Sequence, residues 1–536
     1  MKNIKLFFLI LISLNTSAQN IQDFNGFVLY NAQGSNTTYL IDENLNITHT
    51  WSMNTECNYT VQLKENGNLV RGTKYNQNIL GGAADAGRVQ EIDPQGNIVW
   101  DYIYSSADHL SHHDLTLIGD NVLLTAWEVK TAAELAAAGY TGNVGNSGKW
   151  PTHFIELEPD GNGSANIIWE WHIWDHLCQD TDPNKPNYVN NISDHPELID
   201  INMIQGGGGP GGGGGGDWFH VNGVDYNEEL DQISFSSRFA SEIYIIDHST
   251  TTAEAASHSG GNSGMGGDIL YRWGNPSNYG LAGPQIIPDA VHDVRWITND
   301  GRPNGGYLQI FNNKGISSQQ STIDGIETPL DPNTGYTYLR NTGQAFYPFS
   351  YTTRYQCAYS APGQSASDRM SNGNIFVNAS GGQGGAGVMY EVDPSGNIVW
   401  GPHTALGSNN GSQKAFRYEC NYPGIIALEP YMNNVSTTSC FLNVSVSNLP
   451  SEQLISIYPN PTENGLINIS LSKKLSTKSK LRVVNSIGIS MYEQELNHVN
   501  NHQNFQIDLS DFSNGIYFIH IDNDYQTYTE RVSFIR

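Results

Sequence analysis

The sequence lacks an apolar run long enough to cross a bilayer. A transmembrane helix needs about eighteen or more predominantly apolar residues, and the most apolar stretch, Leu6–Leu14, is much shorter. It follows a basic start with Lys2 and Lys5 and ends in the small residues Thr16–Ala18, which is the pattern of a secretory signal peptide. We therefore predict a signal peptide over residues 1–18 and an exported mature chain without a membrane span.

Positive charge is also scarce. Lysine and arginine number 26 against 53 aspartates and glutamates, which gives a net charge of -27. Nucleic acids and anionic membrane surfaces are bound through clustered cations, so we expect no nucleic-acid partner. An anionic substrate would have to be held by a few local cationic side chains.

Cysteine is rare, and no two cysteines lie close together in the sequence. The five cysteines form no CxxC pair, which excludes a zinc ribbon, and an exported chain permits one or two disulfides. Cys420 and Cys440 are the closest pair along the chain, but the odd total leaves the connectivity open. The other three cysteines are Cys57, Cys178 and Cys357.

A repeated phrase organises the long N-terminal part. Glu91–Trp100 and Glu391–Trp400 are identical except at Ile92/Val392 and Gln95/Ser395, and each predicts a hairpin with an Asp-Pro-x-Gly turn that closes on tryptophan. A second hairpin precedes most copies, so each repeat predicts a four-stranded blade. We predict six blades, which end near Trp51, Trp100, Trp171, Trp273, Tyr338 and Trp400. Residues 19–440 are therefore predicted to form an all-β, six-bladed β-propeller.

The last part of the chain has a different composition. After a predicted linker at 441–453, residues 454–536 read as short strands of a small β-sandwich. This segment resembles the C-terminal sorting domain of type IX secretion substrates, through Tyr458–Pro461, Asn514–Phe518 and Arg531–Arg536. The resemblance implies that the type IX secretion machinery is a partner. It also implies passage across the outer membrane, followed by release or attachment to the cell surface.

Three histidines occupy equivalent places, each at the start of a blade's inner strand: His113, His220 and His292. Inner strands of a propeller line its central channel, so these imidazoles are expected to converge. Arg238, at the end of a strand, supplies a planar fork that suits an oxyanion such as sulfate or phosphate. Asn222 lies two residues after His220 and is therefore expected on the same strand face.

These residues resemble the motifs of the bacterial arylsulfate sulfotransferases over most of residues 26–430. The resemblance is carried by His220-x-Asn222, Arg238 eighteen residues after His220, His292-Asp293 followed by Leu308–Asn313, and His112-His113-Asp114. In the family the phrase after the nucleophile reads Asp-Asn, whereas this chain has Asn312-Asn313.

The resemblance implies a six-bladed propeller that moves a sulfuryl group from a phenolic sulfate donor to a phenolic acceptor, without a nucleotide donor. It implies that His292 is a nucleophile that becomes transiently sulfated. His220, Asn222, Arg238 and one of the pair His112/His113 would bind the sulfuryl oxygens and handle the phenol's proton. The sequence does not decide which of the two neighbouring histidines faces the channel.

Other functions use the same residues differently. A non-catalytic propeller for glycan or protein would bind in the same channel, and a hydrolase or lyase would use the histidines as acid and base, without a GxSxG nucleophile motif.

Converging histidines could also bind zinc or copper, but no HxH or HExxH spacing supports this, and we expect no metal or cofactor. An insert that runs into the glycine tract 206–216 carries a second candidate metal group, namely His172, Asp175, His176, Cys178 and Asp180.

Overall fold

The computed structural model describes residues 26–32, 34–205, 216–282, 290–406, 411–433, 438, 440–441, 455–462, 464–471, 479–485, 489–496, 504–523 and 527–535. The signal peptide, nearly all of the glycine tract and the linker beyond Phe441 lie outside these residues. The chain divides into two compact units, Met1–Leu442 and Asn443–Arg536. No helix of the described ranges is both long and apolar enough to cross a membrane.

The first unit is built from strands. In chain order they are Gly26–Ala32 (β1), Thr37–Ile41 (β2), Ile47–Ser52 (β3), Cys57–Leu63 (β4), Leu69–Lys74 (β5), Gly87–Ile92 (β6), Ile98–Ile103 (β7), His109–Ile118 (β8), Asn121–Glu128 (β9), Thr152–Pro159 (β10), Ala165–His172 (β11), Leu177–Cys178 (β12), Ile199–Asp200 (β13), Val221–Asn227 (β14), Gln232–Ser237 (β15), Glu242–Asp247 (β16), Tyr271–Trp273 (β17), His292–Trp296 (β18), Leu308–Ser317 (β19), Gln320–Ile326 (β20), Thr353–Gln356 (β21), Ala366–Arg369 (β22), Ile375–Ala379 (β23), Val388–Val392 (β24), Ile398–Thr404 (β25) and Ser412–Glu419 (β26).

Helices are short and lie between strands. The α-helices are Ala132–Ala138 (α1), Thr252–Ala255 (α2) and Pro423–Leu428 (α3), and the 3₁₀ turns are Ile173–His176, Ile192–Asp194, Pro276–Tyr279, Gly382–Gly384 and Glu429–Tyr431. Thr131 caps α1 in a reciprocal capping box with Glu134, and Gly139 ends the helix in the left-handed region at φ 96°.

Six four-stranded antiparallel sheets follow one another along the first unit, which confirms the all-β class. Sheet 1 has the order β26-β1-β2-β3, and sheets 2 to 6 are β4–β7, β8–β11, β14–β17, β18–β21 and β22–β25. Sheet 1 joins the two ends of the unit, because β26 pairs with β1 in antiparallel register, with Phe416 opposite Leu29. A further two-stranded parallel sheet, β12-β13, lies in the insert after sheet 3.

One edge strand of each sheet contacts its counterpart in the next sheet. These strands, β26, β4, β8, β14, β18 and β22, contact one another in that order, and β22 contacts β26 again. Neighbouring sheets also enclose separate apolar clusters, including one between sheets 6 and 1 that contains Phe376, Trp400, Val28 and Tyr30. The sheets therefore form a closed ring around the inner strands.

Several of the repeated tryptophans tie one sheet to the next, whereas Trp100 donates to Glu91 of its own sheet. The indole N–H of Trp51 in sheet 1 donates to the Asp93 carbonyl of sheet 2 at 3.0 Å. Trp400 of sheet 6 donates to the Glu43 carbonyl of sheet 1, also at 3.0 Å. A buried indole needs a hydrogen-bond acceptor, so the residue that marks the end of a repeat also fixes the position of its neighbour.

The turns of the repeated phrase form as predicted. In the first copy, Asp93 accepts from the backbone and side-chain N–H groups of Asn97, both at 2.8 Å, and Gly96 takes φ 87°. The second copy repeats this arrangement with Asp393 and Asn397. The Asx side chain and the left-handed glycine explain why the phrase codes for a tight hairpin.

The fifth sheet departs from the prediction. Its last strand is β21, Thr353–Gln356, and not a strand near Tyr338. Tyr338 instead forms an isolated bridge with Leu330 and donates its hydroxyl to Gln232 of sheet 4 at 2.7 Å. The long connection between β20 and β21 separates the fourth strand from its hairpin partner, and so hides the repeat.

The second unit contains two antiparallel sheets. Its strands are Ile455–Tyr458 (β27), Leu466–Leu471 (β28), Ser479–Asn485 (β29), Ser490–Leu496 (β30), Asn504–Asp508 (β31), Gly515–Asn523 (β32) and Thr527–Phe534 (β33). They pair in the orders β27-β28-β31 and β30-β29-β32-β33. Alternate residues of both sheets, such as Ile467, Val483 and Ile519, form one apolar cluster.

A disulfide joins Cys420, directly after β26, to Cys440. Cys57, Cys178 and Cys357 are buried free thiols, so the pair closest in sequence is the bonded one. A buried thiol behaves as a small apolar side chain, which accounts for the odd count without an intermolecular bridge.

We expect the C420S/C440S double variant to lose about 3 kcal/mol of unfolding free energy, because a bond closing a loop of this length restricts the unfolded chain. All the tryptophans lie within residues 51–400, so urea unfolding followed by tryptophan fluorescence reports on the first unit alone. A reductant should lower the stability of the wild type to that of the variant and leave the variant unchanged. Insensitivity of the wild type to reductant would contradict this role.

Candidate active site

The predicted histidines lie where three inner strands carry β-bulges. The register shifts between Ser111 and Leu115 in β8, between Val221 and Gly223 in β14, and between His292 and Arg295 in β18. His113, His220 and Asp293 take positive φ values of 50°, 53° and 53°. Such conformations are uncommon for non-glycine residues, and bulges re-aim side chains next to functional sites.

His113 and His220 come together. Their ring centroids lie 4.5 Å apart, edge to face, and both residues are buried. Burial, with the neighbouring His220 adding to it, holds the pKa of His113 well below its usual value. His113 is therefore a neutral imidazole at physiological pH.

His112 lies behind His113. Its ring stacks on Trp127 with centroids 3.9 Å apart, and its Nδ1 is 2.8 Å from Nδ1 of His113. Burial lowers the pKa of His112 to about 3. Of the two adjacent histidines, His113 is thus the one against His220, while His112 packs behind it.

His220 is oriented by a carboxylate that the sequence analysis did not select. Its Nδ1 lies 2.5 Å from Oδ2 of Asp217, and Oδ1 of Asp217 accepts the indole N–H of Trp127 at 3.1 Å. Burial opposes ionisation of Asp217, but His220 and its hydrogen bonds hold the pKa of that carboxyl below its usual value. An ionised aspartate beside Nδ1 favours a proton on that nitrogen and fixes the orientation of the ring, which leaves Nε2 to face the site.

His292 is held in one tautomer. Its Nδ1 faces two acceptors, the Ala290 carbonyl at 2.8 Å and Oδ1 of Asn313 at 2.7 Å, so Nδ1 carries the hydrogen. Nε2 accepts the backbone N–H of Gln364 at 3.0 Å. Burial, with the charge of Arg238 nearby, holds the pKa of His292 well below its usual value. The ring is thus neutral and presents the lone pair of Nε2.

Arg238 and Asn222 have different positions in this group. Arg238 is half-buried, its backbone N–H donates to the His220 carbonyl at 3.1 Å, and its charge acts on His292. Asn222 is buried, donates to the Val291 carbonyl at 2.8 Å and accepts from Ser236 at 2.7 Å. Asn222 therefore fixes the strand that carries His292 against the strand that follows His220.

A buried ion network lies next to the histidines. Nζ of Lys414, in β26, lies 2.6 Å from Asp114 of β8 and 2.9 Å from Asp293 of β18. All three side chains are almost fully buried, and Asp293 also pairs with Arg295 at 3.2 Å. One ammonium group thus joins three separate sheets through the two residues that directly follow His113 and His292.

Three residues of this site were missed from the sequence. Asp217 precedes His220 by three residues, a spacing that could have suggested a partner. Asn313 belongs to the quoted family phrase, and its amide donates to the Ala361 and Gln364 carbonyls as well as holding His292. Lys414 gives no local signal, because both of its partners are distant in the sequence.

The described side chains that are grouped closely enough to hold a metal ion lie outside this set of histidines. The described group whose ligand atoms approach closely enough to hold an ion consists of His176, His258 and Asp268. His172, from the insert group proposed as an alternative, pairs with Glu128 and Glu170 instead. Of that insert group, only His176 enters a cluster of this kind.

Two family models match the chain. The arylsulfotransferase (ASST) model matches residues 13–397, and the model of the secretion system C-terminal sorting domain matches residues 456–534. No curated protein matches significantly.

Solved structures give only distant likenesses. A protein of unknown function from Bacteroides caccae is 11% identical with a TM-score of 0.40, covering 74% of this chain and 99% of that one. Kuenenia stuttgartiensis hydrazine synthase is 12% identical with a TM-score of 0.32, covering 55% and 66%. A luciferin-regenerating enzyme is 10% identical with a TM-score of 0.31, covering 73% and 96%.

The chain belongs to the arylsulfotransferase family, whose model spans most of its length. It carries a C-terminal sorting domain and is exported by type IX secretion to the cell surface or the extracellular space.

We expect Lys414→Met to cost about 3–5 kcal/mol of unfolding free energy, because it removes the cation that bridges two buried carboxylates and leaves Asp293 with Arg295 alone. The control is Lys74→Met, whose pair with Asp85 at 3.4 Å is half-exposed and should cost less than about 1 kcal/mol. Urea unfolding followed by tryptophan fluorescence measures both. Equal losses of unfolding free energy in the two variants would show that the buried network stabilises the fold no more than an exposed ion pair does.

Proposed function

We propose that this protein is an aryl-sulfate sulfotransferase that works through a sulfohistidine at His292. The observation that carries the proposal is the state of that ring: it is buried and neutral, Nδ1 is hydrogen-bonded to two acceptors, and Nε2 presents a lone pair near a cation. A neutral, oriented imidazole is a competent nucleophile. Family membership gives the reaction class.

The fold proposed for this enzyme is a six-bladed propeller with a C-terminal β-sandwich. Six meander sheets, the ring of inner-strand contacts and the shared strand pairing of β1 with β26 support the propeller. The two sheets of the second unit, packed on one apolar cluster, support the sandwich. In this arrangement His113 of β8, His220 just before β14 and His292 of β18 point into one channel.

In the first half-reaction, Nε2 of His292 attacks the sulfur of the phenolic sulfate ester. The N–S bond forms as the bond from sulfur to the phenolic oxygen breaks, and the phenolate leaves with the electron pair. His220, oriented at Nδ1 by Asp217, gives a proton from Nε2 to the phenolate. The Gln364 N–H, which donates to Nε2 of His292 at 3.0 Å, must give way as sulfur approaches.

In the second half-reaction, the neutral His220 takes the proton of the acceptor phenol. The acceptor oxygen attacks sulfur, the N–S bond breaks, and its electron pair returns to Nε2 of His292. Arg238 and a neutral His113 supply donors for the sulfuryl oxygens while charge redistributes over them. Asn222 and Asn313 are assigned as positioning residues, because their amides hold the backbone and ring of His292.

We expect His292→Asn to abolish phenol-dependent release of nitrophenolate from 4-nitrophenyl sulfate. The mature chain from Gln19 onward is incubated with donor and excess phenol, and wild type that is incubated with donor alone is analysed by mass spectrometry for one added sulfuryl group. His403→Asn, in the outer strand β25, is the control and should keep full activity. If the wild type releases no phenolic product from any of a panel of aryl sulfates, the proposed enzymatic activity is overturned and a binding function is favoured.

We expect Asp217→Asn to slow turnover by about a hundredfold or more with phenyl sulfate, because His220 loses the carboxylate that orients its ring for proton transfer. The loss should be much smaller with 4-nitrophenyl sulfate, whose phenolate leaves with little need for a proton. Initial rates with both donors measure the difference, and Asp182→Asn, which changes a partly exposed loop residue, is the control. Equal losses with the two donors would exclude proton transfer as the role of this pair.

A further inference from the structure

A second histidine cluster lies on the outer side of sheets 3 and 4. His176 ends the 3₁₀ turn after β11, whereas His258 and Asp268 belong to the segment between α2 and β17. Nδ1 of His176 is 2.8 Å and Nδ1 of His258 is 2.7 Å from the same carboxylate oxygen, Oδ1 of Asp268. The proposed reaction does not use these residues.

The hydrogen bonds of His176 show that a cation must lie between its ring and the carboxylate of Asp268. Nε2 of His176 lies 2.8 Å from the Ala255 carbonyl, which can only accept, so Nε2 carries a hydrogen. In the neutral ring Nδ1 therefore presents a lone pair, and it points at a carboxylate oxygen. Two acceptors at this distance repel each other unless a cation lies between them, either a proton or a metal ion.

The surroundings match those of a metal-bound histidine. The contact from Nε2 of His176 to the Ala255 carbonyl is the outer hydrogen bond that fixes the tautomer of such a ligand. The ring stacks on Trp171 with planes 5° apart, and the ring of His258 stands perpendicular to it at 87°. A Cβ on Gly267 would lie 2.6 Å from Nε2 of His176, so glycine is required for this close approach.

We propose that His176, His258 and Asp268 form a zinc-type cation site with two imidazole nitrogens and one carboxylate oxygen as ligands. Imidazole and carboxylate ligands suit Zn²⁺, with bonds of about 2.0–2.2 Å, so each of the two nitrogen–oxygen distances would have to widen by roughly 0.5–0.9 Å to reach tetrahedral spacing. The side chain of His258 is 61% exposed. It therefore gives the ion a route from solvent and leaves room for a water molecule as the fourth ligand.

The bound ion would attach the segment between α2 and β17 to the end of sheet 3. Besides its own turns, such as Gly266 to Gly260 and Gly267 to Ser257, both at 3.0 Å, that segment is joined to sheet 3 by the indole N–H of Trp171, which donates to the Gly267 carbonyl at 2.7 Å. His176 adds a second link to sheet 3 through Ala255 and Asp268. The expected effect of the ion is therefore on stability, independent of sulfuryl transfer.

The test uses the mature full-length chain, stripped with a chelator and then dialysed against Zn²⁺. We expect the wild type to retain one more Zn²⁺ per chain than His258→Gln, and to bind it at least about tenfold more tightly. His258→Gln changes an exposed residue and should fold normally. The control is His195→Gln, which removes another partly exposed histidine paired with a carboxylate, Glu197 at 2.9 Å, and should match the wild type.

Two further readouts make the outcome decisive. Zn²⁺ should raise the melting temperature of the wild type and of His195→Gln, but not that of His258→Gln or Asp268→Asn. Ca²⁺ and Mg²⁺, which prefer oxygen ligands, should have no such effect. Equal Zn²⁺ content in the wild type and His258→Gln would overturn the proposal and leave a proton as the cation of the cluster.

Discussion

The ammonium group of Lys414 is the contact on which the organisation of the site depends. It stands between the carboxylates of Asp114 and Asp293, so one buried charge joins sheets 1, 3 and 5. Those two aspartates directly follow His113 and His292. The strands that carry the two imidazoles are therefore joined by a buried cation, and its removal would leave Asp293 with Arg295 alone and Asp114 without the lysine.

Next to this ion network, burial keeps two of the imidazole rings uncharged. His113 and His292 are neutral because the protein interior disfavours their charged forms, whereas His220 has an ionised partner in Asp217. Neighbouring groups of the same chemical type can therefore have different roles. The difference comes from the group that contacts Nδ1 of each ring, which is a carboxylate for His220 and a pair of neutral carbonyl oxygens for His292.

Much of the architecture could be predicted because its information is local. The Asp93 turn recurs at Asp393, and alternation and turn residues together define the four-stranded sheets. The fifth sheet was misjudged at Tyr338 because a long connection precedes β21. The roles of Lys414 and Asn222 could not be predicted, since their partners lie on other sheets. The choice between His112 and His113 depended on the bulge in β8, which shifts the register without a sequence signal of its own.

The pairing of β1 with β26 has a consequence for how the protein folds. The strand that completes sheet 1 is the last of the ring to be synthesised, and it carries Lys414. Contacts between residues so far apart in sequence form slowly, because much of the chain must be ordered before they are made. Assembly of the histidine site is thus coupled to the pairing of β26 with β1, and a chain truncated before residue 412 would retain the histidines but lack the lysine that bridges Asp114 and Asp293.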